Sequence, residues 1–249
     1  MSLLTVVLSG VILGLAAVVQ GAVGFGYALF ATPLLVWVGI PLQKVIVLVA
    51  IGSMVQSATG VRSLHTSVPW REALTATAVR MMWVLVGLFF LKKLVTLNPE
   101  YIQLTVGCLL CLLVVLQFFW RPHPVEKVHW SATLFAFSAS GILAGMAGMG
   151  GPPLVLWAMA HNWSAGKTRG FFFAAFLTFI PLQIVLLCLT FGFSTLWPAI
   201  AMGFCFAPVI YGGSLIGLSL GHKMSKERLT KLTYLCLLVT GISAILSSL

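Results

Sequence analysis

Two glycine runs and one arginine carry the residue types that could hold a ligand. The first run is Gln20-Gly-Ala-Val-Gly-Phe-Gly26, and the second is Gly141-Ile-Leu-Ala-Gly-Met-Ala-Gly-Met-Gly-Gly-Pro-Pro153. Glycine weakens a helix and proline removes a backbone donor, so each run predicts that one helix stops and another starts. Backbone N–H groups freed at such a break can approach an anion closely. A restarting helix also presents the positive end of its dipole, near Gly26 and near Pro152. The expected ligand contacts are therefore Gly24 and Gly26 in the first break, and Gly148, Gly150 and Gly151 in the second. The alternative use of these glycines is close helix packing.

Arg80 is the third element. It falls about nine residues into an apolar segment, where a permanent charge is costly unless it is paired or faces a cavity. The four acidic residues, Glu72, Glu100, Glu126 and Glu227, all lie at segment ends, and there is no aspartate. An arginine without a carboxylate partner can bind an anionic substrate. The competing reading is a side chain that snorkels to the interface. Among uncharged polar residues, Gln20 and Gln56 are preferred as ligand contacts. Most membrane serines and threonines bond a nearby carbonyl instead.

These residues sit in a chain of 249 residues that is 60% hydrophobic and 7% charged. Such a composition predicts an all-α, polytopic membrane protein with no soluble domain. The net charge is +10, from 14 Lys and Arg against 4 acidic residues. The basic residues are scattered among short loops, which fits topology and excludes a nucleic-acid surface. Residues 1–9 carry no Lys or Arg, so the first apolar stretch reads as a membrane segment rather than a leader. The five cysteines fall in apolar segments. The Cys108-x-x-Cys111 pair lacks the further ligands a zinc site needs, so neither metal nor cofactor is expected. No nucleophile–base pair is visible and no strand precedes the glycine groupings, so an enzyme is not expected.

The apolar segments fall near residues 2–22, 26–40, 44–62, 72–91, 100–120, 130–147, 152–161, 170–192, 196–220 and 232–248. Glycines coincide between halves at 21/145, 24/148 and 26/150, and Pro33-Leu-Leu-Val-Trp37 lies over Pro153-Leu-Val-Leu-Trp157. The reading is a repeat at 1–120, a connector at 121–129 and a second repeat at 130–249. Each repeat has five segments and opens on a broken, short helix pair. With alternating connectors, Arg62, Arg71, Arg121, Lys127, Lys167, Arg169, Lys223, Lys226, Arg228 and Lys231 share one side. Lys44, Lys92 and Lys93 face the other. The first side is then cytoplasmic, and an odd segment number inverts the two repeats. Whether the short pieces cross or re-enter stays open.

The two glycine motifs with their Pro33-Leu34-Leu35 and Pro153-Leu154 sequels, and Gly212-Gly-Ser-Leu-Ile-Gly217 leading to Gly241, resemble the TauE/SafE sulfite exporter family. That resemblance spans essentially the whole chain. It implies a multi-pass carrier in a prokaryotic cell membrane for small sulfur-containing anions such as sulfite, sulfoacetate or thiosulfate. The partners it implies are the anion and the lipid bilayer, with a homo-oligomer left open. Pro152-Pro153 directly after Gly151, and Tyr27-Ala28 in the first half, stand where the family commonly has more glycine, so the substrate can differ. An anion channel with the same central site, and a non-transporting membrane subunit, are the alternative readings.

Overall fold

The computed structural model of the chain describes residues 3–119, 125 and 128–223. Ten α-helices are described: α1 (Leu3–Val23), α2 (Tyr27–Trp37), α3 (Leu42–Ser63), α4 (Trp70–Leu94), α5 (Pro99–Phe119), α6 (Trp130–Ala147), α7 (Gly151–Met159), α8 (Ala165–Phe191), α9 (Phe193–Cys205) and α10 (Ala207–Lys223). A short 3₁₀ turn, His65–Ser67, joins α3 to α4. The fold is all-helical among the described residues. The segment expected at 232–248 lies outside them.

Helices α1, α3, α4, α6 and α8 are each long and apolar enough to cross a membrane. The segment expected at 196–220 is instead two helices, α9 and α10, bent by 51° at Phe206. Pro208 explains the break. It lies in the first turn of α10 and has no N–H to offer the Phe204 carbonyl four residues back, so the hydrogen-bond ladder is interrupted there. Pro181 lies inside a continuous α8.

Helices α2 and α7 have 11 and 9 residues. At 1.5 Å per residue they reach only about 17 Å and 14 Å, half of a bilayer core. Helix α7 runs back along α6. Trp157 Nε1 donates to Thr133 Oγ1 at 2.9 Å, and the Phe137 and Trp157 rings stand 4.8 Å apart. Nearer the tip, Ser140 Oγ donates to the Gly150 carbonyl.

Helices α3 and α8 are the most buried of the spanning helices and pack on each other at the centre. Two parallel pairs flank them, α4 with α6 and α1 with α10. Small residues set both approaches. A side chain on Gly145 would run into the Val84 carbonyl, with Gly87 Cα 2.9 Å away. One on Gly21 would meet the Ser214 carbonyl at 2.8 Å and Gly217 Cα at 3.1 Å. Lipid offers no hydrophobic drive for helices to associate, so this close packing is what holds the pairs.

Several polar side chains in the helices are satisfied locally. Ser9, Thr133 and Thr168 each donate to the carbonyl four residues back, as do the half-buried Thr59, Thr178 and Thr190, whereas the buried Thr32, Ser57 and Ser214 hydroxyls have no partner. Two glutamines bridge helices instead. Gln56 Nε2 donates to the Ala17 carbonyl at 2.6 Å, and Gln183 Nε2 to the Ala144 carbonyl at 2.8 Å. Each bond ties a long central helix to the helix preceding a break.

Candidate functional site

The two breaks are built alike. Helix α1 ends at Val23 and Gly24 follows with φ +96°; α6 ends at Ala147 and Gly148 follows with φ +72°. This left-handed backbone is strained for residues with a Cβ, so glycine there is a geometric requirement. Each turn closes with the same bond, Gly24 N–H to the Gln20 carbonyl and Gly148 N–H to the Ala144 carbonyl. Gly26, at φ +102°, starts α2, and Pro152 opens α7 in the position that suits proline.

A cavity of about 40 Å³ lies where the breaks meet α3, α4 and α8. Gln20, Gly26 and Tyr27 line it from the first break, and Gly148, Gly150 and Gly151 from the second. Ser53 of α3, Arg80 of α4 and Gln183 of α8 complete its polar wall. The volume corresponds to roughly three or four water-sized groups.

Arg80 is 2% exposed, so it does not snorkel. Its Nη1 donates to the Ala175 carbonyl at 3.1 Å, and its guanidinium carbon lies 3.7 Å from the centre of the Phe179 ring. The ring face is a favourable partner for a cation in a dry site. Gly141 of α6 presses on the Arg80 backbone, which fixes α4 at this level. Gly150 leaves room for the guanidinium; a Cβ there would stand 3.2 Å from Nη2. Arg80 Nε has no hydrogen-bond partner. Glu72 and Glu100, the acidic residues among the described ones, lie in the first turns of α4 and α5.

Two more buried polar groups of cavity-lining residues lack partners, Gln20 Nε2 and the Tyr27 hydroxyl. A buried donor left unmade costs about 1–3 kcal/mol, so such groups mark a place where a partner is expected. Arginine and an amide nitrogen offer hydrogens, and the hydroxyl can offer one. A group of donors around a small cavity suits an oxyanion.

Six of the eight residues expected as contacts therefore line one cavity: Gln20, Gly26, Arg80, Gly148, Gly150 and Gly151. Gly24 and Gln56 do not. Gly24 packs against Arg169, whose Cγ would be 3.0 Å from a Cβ at that position. Gln56 turns its amide to Ala17, away from the cavity, and its Oε1 is unpartnered. Tyr27 was not among the expected contacts. Its polar ring directly after the first glycine run was the available signal. Trp37 and Trp157 occupy matching sequence positions but different settings: Trp157 is buried against Phe137 and Phe171, and Trp37 is exposed.

The family model described as "Sulfite exporter TauE/SafE" matches residues 9–244 of the chain. No curated protein and no solved structure matches it.

Proposed function

The chain belongs to the TauE/SafE sulfite exporter family, a family of multi-pass membrane transporters, and on that premise we propose that it is a secondary carrier for small sulfur oxyanions bound in the cavity between the two helix breaks. The observation that carries this reading is Arg80: a fully buried guanidinium with a free Nε, on the wall of a cavity that two broken helices form. Arg80 supplies the charge, Gln20 and the Tyr27 hydroxyl supply hydrogen bonds, and the backbone of Gly26 and Gly148 to Gly151 closes around the anion.

The volume favours sulfite, with four heavy atoms, over sulfoacetate, whose carbon arm needs further space. Thiosulfate, one atom larger than sulfite, falls between them.

The transport cycle in this reading uses two inverted repeats, residues 1–120 and 130–249, in a prokaryotic cell membrane. Three features support it. Each half pairs its glycine-broken first helix with a helix of the other half, α1 with α10 and α6 with α4. The bridging bonds of Gln56 and Gln183 each span 39 residues. Each short helix begins directly after a glycine break. Rocking of one repeat against the other then opens the cavity to alternate sides.

A thermal-shift panel of sulfite, thiosulfate, sulfoacetate, sulfate and chloride tests the substrate. Sulfite is expected to stabilise most. Flux into proteoliposomes should saturate and show counterflow, whereas ohmic currents would identify a channel.

A further inference from the structure

Arg169 packs on the first break and is not among the residues that line the cavity. It is the fifth residue of α8, counting from Ala165, and is partly buried. Its Nη2 donates to the Gly21 carbonyl at 2.7 Å, across 148 residues of sequence. Its Cα and aliphatic stem pack against Gly24. One turn along α8, Phe172 meets Phe25 edge-on at 5.9 Å. The first residues of α8 thus hold the first break from Gly21 to Phe25.

The chemistry of a helix end explains why a cation belongs there. The last carbonyls of α1 have no intrahelical partner and carry the negative end of the helix dipole. Broken membrane helices commonly satisfy such ends with a bound cation. Here a guanidinium does it from within the chain. At the second break a neutral amide takes that place: Gln183 Nε2, also of α8, donates to the Ala144 carbonyl at 2.8 Å. Beside Gly148 itself stands Ile46, the fifth residue of α3 counting from Leu42, 3.5 Å from where a Cβ on that glycine would lie.

We infer that Arg169 is the positioning residue of the first break: it fixes the end of α1 so that Gln20 and Gly26 face the cavity, with a charged donor where the second break has the neutral Gln183 amide. Its relevance to transport rests on the anion-site reading above; its effect on the break does not. Helix α8 also carries Phe179 and the Ala175 carbonyl, which hold Arg80. One helix therefore ties the clamp to the binding arginine.

The test is amide hydrogen exchange on the full-length protein in detergent micelles, without ligand, together with sulfite affinity. Arg169→Gln is expected to speed exchange across 20–30 by about tenfold or more, the scale of one charge-assisted hydrogen bond, with exchange across 144–152 unchanged. Sulfite affinity is expected to fall about tenfold with it. Arg169→Lys keeps the charge but not the forked donor, and should restore exchange part-way. Lys167→Gln removes a charge from the same end of α8 and should behave like wild type. Native-like exchange across 20–30 in Arg169→Gln overturns the inference, as does an equal change in Lys167→Gln. If Arg169→Gln does not fold, wild-type exchange in Arg169→Lys supports charge alone and overturns the positioning geometry. Unchanged sulfite affinity in Arg80→Gln would instead sink the anion-site reading and leave the exchange result standing.

Discussion

The two helix breaks differ in what their arginines do. At the first, Arg169 donates to the Gly21 carbonyl and its stem packs on Gly24. At the second, Arg80 donates to the Ala175 carbonyl of α8 and sits beside Gly150 on the wall of a cavity; Nε is unpartnered in both arginines, so the cavity is what separates them. The residue that follows each break differs too. Tyr27 places its hydroxyl against Gly52, whereas a Cβ added at Gly151 would meet only the Phe176 ring, at 3.8 Å. One fold device, a helix stopped by a left-handed glycine, thus carries a charged carbonyl donor in one place and a neutral one in the other. Arg80, Gln20 and Tyr27 all come from the first half, and the second half lines the cavity with Gln183 and the stretch from Gly148 to Gly151.

Seven substitutions break or sharpen this contrast. The largest effect is expected from Gly87→Leu and Gly217→Leu, which force apart the α4–α6 and α1–α10 pairs. Each should prevent recovery of folded protein in detergent, because backbone rather than a movable side chain fills the space. Comparable loss in both would support equivalent roles for the two pairs; tolerance of either would remove that equivalence. Next comes the pair Gly24→Ala and Gly148→Ala. Both positions have positive φ, which costs about 1–2 kcal/mol for a residue with a Cβ. Gly24 adds a clash with Arg169 that Gly148 lacks, so thermal unfolding should show Gly24→Ala as the less stable. The reverse order would deny that Arg169 packs more tightly on Gly24 than Ile46 does on Gly148.

Smaller effects should separate the two glutamines. Gln56→Ala removes a buried bond to α1 and should lower stability by about 1 kcal/mol while leaving sulfite affinity intact. Gln20→Ala should do the opposite, weakening affinity with little loss of stability, since its Nε2 has no protein partner. Tyr27→Phe is the finest probe. It deletes an unpartnered hydroxyl, so ligand-free protein should be unchanged or slightly more stable, with weaker sulfite binding by isothermal titration. Equal affinity would mean the hydroxyl does not reach the anion.

The breaks were legible in the sequence because glycine has a unique conformational role and proline a unique start position. The depth of Arg80 was legible because so few charges compete in an apolar segment. Which of two glutamines faces the cavity was not. Gln20 and Gln56 are both polar residues in apolar helices, and only helix rotation and the Ala17 carbonyl separate them. The α9–α10 break was missed because no glycine marks it and 196–220 is long and apolar enough to read as one segment. Arg169 read as a loop charge because its partner, Gly21, is 148 residues away. Long-range side-chain pairing leaves no periodic trace in a sequence.

The central claim is that the anion binds at Arg80. It is tested most directly by sulfite-dependent thermal stability of wild type and Arg80→Gln, compared at equal protein concentration in detergent. At sulfite one hundred times its Kd, wild type should gain about 2.7 kcal/mol and Arg80→Gln close to none. Equal stabilisation of the two proteins, or no response from wild type, would contradict it.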